Sequence, residues 1–159
     1  MSAVYTAVLT IHSWMRWVTL LLAIAATLNA IRSPVQGSQR LPGRWWDIFF
    51  MLAVDLQVFF GLVLYFGLSP FTKEAMTNVA AAMRTPALRF WAIEHAGGMF
   101  AAVVLVRMGR VLAANASSHL SARNRRLTCF ATATVGMLAS IPWPGLANGR
   151  PLFRLWPGA

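Results

Sequence analysis

Long apolar stretches alternate with short polar and turn-forming segments along the 159 residues of this chain. A transmembrane helix needs about 20 mostly apolar residues, and four stretches approach that length. They cover about residues 12–31, 46–67, 90–110 and 126–142. The pattern therefore predicts an all-α fold, a four-transmembrane-helix antiparallel bundle that forms one membrane-embedded domain over residues 1–159.

The segment between the second and third stretches carries a helical signal of its own. Ser69 followed by Pro70 is typical of a helix N-cap and first helical residue. Apolar residues then recur near one helical face, at Phe71, Met76, Val79, Ala80 and Met83. We therefore predict a short interfacial helix between spans two and three, lying on the membrane surface. An ordinary soluble loop is the alternative.

Composition agrees with insertion into a membrane. Hydrophobic residues make up 58% of the chain and charged residues 11%, and the mean hydropathy is +0.59, which is far more apolar than a soluble domain needs. The formal charge of +10 comes from thirteen arginines and Lys73 against four acidic residues. Cations that flank apolar spans fix topology and contact anionic lipid. The expected partner is therefore the lipid bilayer and not nucleic acid.

Positive charge is divided unevenly between the two sides of the predicted bundle. The segments 32–44 and 107–126 share one side and carry eight arginines, whereas the other side carries five cations. No lysine or arginine precedes Arg16. Because cationic loops favour the cytoplasmic side, we predict a multi-pass protein with both termini outside.

Two histidines belong to predicted spans that begin on the same side of the membrane. His12, in the sequence IHSWMRW, lies at or just inside the start of span one, and His95 lies about one turn into span three. Imidazoles at one level on facing helices can ligate the iron of a b-type haem from both sides. Gly98 follows on the face of His95, where a missing side chain would let the macrocycle approach. Interfacial histidines without a cofactor, and a glycine that serves helix packing, are the alternative.

Charged residues near the histidines can serve the same site. Arg16 lies one helical turn after His12, where a permanent cation needs a partner or a route to the surface. A haem propionate or Glu94, at nearly the depth of His95, is a candidate partner, and snorkelling to the interface is the alternative. Because Cys129 is the single cysteine, the chain has no CxxCH attachment motif, and a haem would be held by coordination alone.

Asp55 is an acid far inside the second predicted span, about nine residues from its inner end. An ionisable residue at such a depth suggests a function by default. Its structural explanation is a charge pair with Arg107, which lies toward the inner end of span three. We predict that the two side chains form a buried pair, and a proton relay through Asp55 is the alternative.

Four motifs resemble, in this order, a family of small bacterial four-helix integral membrane proteins labelled cytochrome b-like. They are HSWMRW (12–17), DLQVFFGLVLYF (55–66), LRFWAIEH (88–95) and IPWP (141–144). The resemblance spans all four predicted helices. It implies haem and electron transfer in the bacterial inner (cytoplasmic) membrane. The positions of interest that it implies are His12, Arg16, Asp55, Glu94, His95 and the IPWP turn.

Two functions from different classes follow. The first is a membrane-bound b-type cytochrome-like electron-transfer subunit with one bis-histidine haem near the outer face, working with other membrane subunits or a quinone-linked redox partner. Without a nucleotide-binding glycine loop or a second redox centre, it is expected to be a non-catalytic carrier rather than an enzyme. The second is a cofactor-free accessory structural subunit of a respiratory or photosynthetic complex, in which a histidine can contact chlorophyll. Four short spans with a single deep acid argue against a transporter.

Overall fold

The computed structural model describes residues 3–33 and 44–154, and those residues contain helices, turns and irregular segments but no strand. Helix α1 is Ala3–Arg32, and α2 consists of Arg44–Leu62 followed by the π-helical turn Val63–Leu68. Two short helices follow, α3 (Pro70–Thr77) and α4 (Val79–Arg84). Helix α5 runs through Pro86–Arg89, the π-helical turn Phe90–Glu94 and His95–Ala114, and α6 is His119–Ser140. The predicted loop within 32–44 lies almost wholly outside the described residues.

The four long helices contact one another in a ring, with α1 beside α2, α2 beside α5, α5 beside α6 and α6 beside α1. Neighbours run in opposite directions, since Asn29 late in α1 lies beside Arg126 early in α6. Likewise Tyr65, late in α2, donates a hydrogen bond to the carbonyl of Ala92, early in α5. The predicted all-α fold is confirmed. The apolar core at the centre of the ring contains Leu20, Ala23, Ala26, Phe50, Val54, Ala102, Val106, Phe130, Ala133, Met137 and Ile141.

Small residues let the helices approach closely. Ala23, Ala26 and Ala30 on α1 are fully buried, and small side chains at helix contacts permit short distances between backbones. Gly109 on α5 faces α6, where a Cβ atom at position 109 would lie only 2.8 Å from the Cβ of Cys129. These small residues therefore allow close helix packing in the middle of the ring.

The exterior of the ring suits lipid. Three helices are long and apolar enough to cross a membrane, namely Ala3–Arg32, Trp45–Leu68 and Pro86–Ala114. Large apolar side chains point outward from them, as at Leu21 and Phe100, which are each 67% exposed. A soluble bundle shows polar residues on that surface. Helix α6 is not one of the three, and arginines occupy its first two turns.

Helix boundaries differ from the sequence prediction at the starts of three helices. Helix α1 begins at Ala3, because residues 3–11 contain no charge and no helix breaker. Helix α5 begins at Pro86, since proline is well tolerated at a first helical position. Helix α6 begins at His119, where the hydroxyl of Ser118 accepts a hydrogen bond from the amide of Ser121 at 3.2 Å. Much of the predicted basic loop 107–126 is therefore helical.

The helical signal after the second long helix is confirmed. The hydroxyl of Ser69 accepts a hydrogen bond from the amide of Thr72, and Pro70 is the first helical residue. Two short helices replace the single predicted one because Asn78 interrupts them. The side chain of Asn78 caps α4 by accepting a hydrogen bond from the amide of Ala81 at 2.9 Å.

Candidate functional site

A cavity of about 440 Å³ lies between the early part of α1, the late part of α2 and the early part of α5. Its size falls within the range of cofactor and small-molecule pockets. His12, Arg16 and His95 all line it. The structure therefore brings three of the predicted site residues to one place, which we call the histidine cavity.

The two histidine rings face each other across the ring of helices. Their centroids lie 6.4 Å apart and their planes make an angle of 74°. At about 2 Å per metal–nitrogen bond, an ion held between two facing imidazoles separates the ring centroids by about 6 Å. His12 and His95 are level because each lies nine residues after the first residue of its helix, Ala3 or Pro86. Both are deeper in their helices than the sequence predicted, because both helices begin earlier.

The orientation of His95 is fixed by its surroundings. Its Nδ1 lies 2.8 Å from the carbonyl oxygen of Ser140, and because a carbonyl only accepts, Nδ1 carries the proton. The Nε2 atom then keeps a free lone pair, as in metal-ligating histidines whose other nitrogen is held by a carbonyl. The rings of Phe90 and Trp91 pack beside the imidazole, at centroid distances of 6.0 and 5.5 Å. The π-helical turn Phe90–Glu94 directly precedes His95, and such turns are frequent at functional sites.

His12 is held from α2. The amide nitrogen of Gln57 lies 3.2 Å from the Nε2 of His12 and donates to the carbonyl oxygen of His12, also at 3.2 Å. Gly61 makes room for the ring, since a Cβ atom at position 61 would lie 3.3 Å from its Cε1. Within the described residues, Nδ1 of His12 and Oε1 of Gln57 are buried without a hydrogen-bond partner. Sequence reasoning gave Gln57 no role, although a lone amide in an apolar helix was an available signal.

Arg16 holds a segment near the end of the described residues that lines part of the cavity. Its Nη2 donates to the carbonyl oxygen of Leu152 at 2.6 Å, and the indole of Trp17 donates to the same oxygen at 3.1 Å. The indole of Trp14 donates to the carbonyl of Arg154 at 2.9 Å. We call residues 150–154 the C-terminal strap. Its arginines at 150 and 154 also line the cavity, so three guanidinium groups surround this space.

Glu94 does not pair with Arg16. It forms an ion pair with Arg89 at 2.7 Å, and both side chains are more than 40% exposed. Glu94 does not line the histidine cavity. The partner of Arg16 is the backbone carbonyl of Leu152 and not the predicted Glu94. This follows because the strap lies against Trp14 and Trp17, on either side of Arg16.

Gly98 contributes to helix packing instead of to the cavity wall. A Cβ atom at position 98 would collide with the hydroxyl of Ser140 on α6, so the glycine allows α5 and α6 to come together. The neighbouring Gly97 lines the cavity, and nothing lies within 4 Å of the position of its missing Cβ. The open space beside the backbone that we predicted at Gly98 therefore lies at Gly97.

The Asp55–Arg107 pair is present, but its predicted burial is wrong. The Nη2 of Arg107 donates to Oδ1 and Oδ2 of Asp55, at 2.7 and 2.6 Å. The side chain of Asp55 is 42% exposed and that of Arg107 is 50% exposed. Both lie on the outer face of the ring, because Asp55 belongs to the same helical stripe as the exposed Leu52 and Phe59.

A second polar group, which sequence reasoning missed, lies at the opposite end of the ring. Asp47 accepts from Arg126 at 2.7 Å through Oδ1 and from Arg110 at 2.8 Å through Oδ2. Arg126 also donates to the side chains of Ser33 and Asn29. The side chains of Asp47 and Arg126 are 0% and 1% exposed. These five residues, four from α1, α2, α5 and α6 and Ser33 directly after α1, form what we call the Asp47 cluster. The signal for it in the sequence was an acid at an arginine-rich end.

The donor set of the histidine cavity fits a haem better than a bare metal ion. No group of three or more histidine, cysteine or acidic side chains that could hold a metal occurs in residues 3–33 and 44–154. A porphyrin supplies four nitrogen donors itself and needs only two axial ligands from the protein. Two imidazoles at 6.4 Å, with arginines beside them to meet carboxylates, match that requirement.

Fold and site together define a helical protein with membrane-compatible helices and, at one end of their ring, a largely apolar cavity that two histidines and three arginines line. No protein-family model, curated protein or solved structure matches this chain. The resemblance to cytochrome b-like proteins therefore stays a prediction.

Proposed function

We propose that this chain is a membrane-embedded electron carrier that binds one b-type haem in the histidine cavity. The observation that carries the proposal is the pair of imidazoles from α1 and α5, 6.4 Å apart between ring centroids, in the wall of a cavity of about 440 Å³. A haem with two imidazole ligands supplies reversible one-electron transfer and has no open position for oxygen.

The residues around the cavity have separate tasks in this proposal. Ser140 holds His95 by its Nδ1 proton, so Nε2 would be the nitrogen that holds the haem iron. Gln57 donates to the backbone carbonyl of His12 from the neighbouring helix, and its amide group would turn away from Nε2 of His12 to leave a ring nitrogen with a lone pair for the iron. Arg16 and the two arginines of the C-terminal strap supply positive charge for the propionates, and guanidinium groups bind carboxylates well.

The membrane arrangement belongs to the same proposal. Helix α6 is the fourth span, because Val135 and Leu138 are exposed apolar residues in its later turns, while its arginines gather at the end of the Asp47 cluster. That end faces the cytoplasm of a bacterial inner membrane. The histidine cavity then lies toward the outer face, the termini lie outside, and α3 and α4 lie along the interface. Electrons pass between a quinone-linked partner and other membrane subunits.

Absorbance spectroscopy tests the proposal. Protein purified from haem-sufficient membranes is expected to show the Soret and split visible bands of a low-spin haem. His12→Ala and His95→Ala are each expected to abolish this spectrum or convert it to high spin. His119→Ala is the matched control, because His119 is an exposed residue at the start of α6, and its spectrum is expected to match the unmodified protein.

Two outcomes would reject the carrier function. One is a protein that shows no haem absorbance after purification from haem-sufficient membranes, and the other is a spectrum that survives replacement of both cavity histidines. Either result favours the accessory structural subunit, in which the cavity end is a contact surface within a larger complex. A far-red absorbance band in place of a Soret band would identify a chlorin ligand.

A further inference from the structure

We infer that the outer face of α2 and α5 around Asp55 and Arg107 binds a second copy of this chain. This inference uses the membrane arrangement proposed above, but it does not depend on haem. It starts from the exposed ion pair, which the electron-carrier proposal leaves without a role.

The ion pair lies where lipid tails would surround a single copy. Asp55 is near the middle of the apolar helix Trp45–Leu68, and its side chain is 42% exposed. Arg107 on α5 is 50% exposed. Their neighbours on the same face are exposed apolar side chains, namely Leu52, Leu56, Phe59, Val104, Met108 and Val111. Charged residues in membranes almost always face the inside of an assembly or water, so this face is expected to be covered.

The pair is also incompletely satisfied. Only Nη2 of Arg107 donates to Asp55, and within the described residues the other guanidinium nitrogens make no hydrogen bond. A guanidinium has five N–H donors, and hydrocarbon offers no acceptor for them. The free N–H groups of Arg107 are therefore expected to bind an acidic side chain at the same depth in the membrane.

A second copy supplies that partner by symmetry. The negative and positive groups lie side by side, one on α2 and the other on α5. A two-fold axis along the membrane normal turns such a patch so that Asp55 of one copy faces Arg107 of the other, and the reverse. The four charges then form a closed, alternating group with apolar side chains above and below it. The patch is complementary to itself, which is why we assign it to a second copy.

The first experiment locates the contact by crosslinking. Leu52→Cys, in a Cys129→Ala background, places a single thiol on this face, since Leu52 is 53% exposed. Leu21→Cys is the matched control on α1, because Leu21 is 67% exposed on another face of the ring. In lipid nanodiscs, a short thiol crosslinker is expected to give dimers with Leu52→Cys and severalfold fewer with Leu21→Cys. Equal crosslinking at both positions, or none at Leu52→Cys, overturns the inference.

The second experiment tests the charge arrangement itself. The double variant Asp55→Arg with Arg107→Asp keeps the pair within each copy and also keeps the pairing between two identical copies. A mixed dimer with the unmodified chain would instead set acid against acid and arginine against arginine. With two affinity tags, each form is expected to capture itself at least severalfold better than it captures the other. Statistical mixing of the two forms overturns the inference, as does a monomer or capture of a different subunit by this face.

Discussion

The two ends of the helix ring use buried polar residues in opposite ways. In the Asp47 cluster, both carboxylate oxygens of Asp47 accept hydrogen bonds from arginines. At the histidine cavity, Nδ1 of His12, Nε of Arg16 and Oε1 of Gln57 are buried without a partner in the described residues. Both groups draw on α1, α2, α5 and α6. The difference therefore lies in whether an acid and its arginines pair with one another, as at Asp47, and not in the elements that carry the polar groups.

From this contrast we infer that the Asp47 cluster stabilises the fold, whereas the polar residues of the histidine cavity bind a ligand. Most buried polar atoms in proteins have a hydrogen-bond partner, and each exception calls for an explanation. A buried polar atom without a partner costs about 1–3 kcal/mol. Three such atoms around one cavity are a cost that a ligand can remove. Neither Asp47 nor Arg126 lines the histidine cavity, and the groups of the Asp47 cluster tie the helix ends together.

The largest effect is expected from Arg126→Ala in the Asp47 cluster. Removal of one partner from a buried ion pair leaves an uncompensated charge, and the free energy of unfolding is expected to fall by about 3–5 kcal/mol. Denaturant titration of the detergent-solubilised protein measures this change.

Arg125→Ala is the matched control for that prediction. Arg125 is the adjacent exposed arginine and donates only to the carbonyl of Leu112. Its loss is expected to change the free energy of unfolding by about 0.5 kcal/mol, as for other surface substitutions. If the two variants unfold alike, Arg126 does not hold this end of the ring together.

The burial of Arg126 in the Asp47 cluster could not be predicted from the sequence pattern. Hydropathy located α1, α2 and α5, because a helix that faces lipid must be apolar along its length. It assigned Arg126 to the edge of a basic loop, since an arginine near a span end usually meets headgroups. Its burial depends on where α6 begins and on which side chain faces Asp47 across the ring. Neither follows from the order of residues along one helix.

A smaller loss of unfolding free energy is expected from Gly109→Ala, at the close contact between α5 and α6. The added methyl group would lie 2.8 Å from the Cβ of Cys129 and 3.1 Å from the ring of Phe130. Overpacking of this kind costs about 1–3 kcal/mol.

Gly97→Ala is the matched change at the histidine cavity, on the same helix. Nothing lies within 4 Å of the added methyl group, so the unfolding free energy is expected to stay level or rise by about 1 kcal/mol through helix propensity. Thermal unfolding of both variants checks the pair. A cost at position 97 that equals the cost at position 109 would contradict the difference in packing.

The histidine cavity was more accessible to sequence reasoning than the Asp47 cluster. His12 and His95 were identified because antiparallel helices place alternate helix starts at the same level, and both helices begin earlier than predicted, at Ala3 and Pro86. The neighbours Gln57 and Ser140 were missed, since their contacts depend on the rotation of each helix about its axis. The exposed position of Asp55 was missed for the same reason.

An effect of about 1 kcal/mol is expected from Arg16→Ala at the histidine cavity. The variant loses one hydrogen bond to the carbonyl of Leu152, and a typical bond of this kind contributes about that much. The indoles of Trp14 and Trp17 still hold the C-terminal strap. Limited proteolysis at the C-terminus is expected to be faster in this variant. Arg89→Ala is the control, because that exposed arginine pairs with Glu94 away from the strap, and equal proteolysis of the two would contradict the anchoring role.

The smallest effect on stability is expected from Gln57→Leu at the histidine cavity. The change removes two hydrogen bonds of 3.2 Å to His12 but also removes the buried, unpartnered Oε1. These contributions oppose each other, so the free energy of unfolding without haem is expected to change by less than about 1 kcal/mol. Haem affinity is expected to fall by about 10-fold or more, because residues that orient a metal ligand have effects of that size. Thr19→Val is the control, since Thr19 also links α1 to α2 through a hydrogen bond to Ala53 but does not line the cavity. A Gln57→Leu protein that binds haem as tightly as Thr19→Val would show that haem affinity does not depend on Gln57. The unpaired polar atoms at the histidine cavity would then give no support to a binding function.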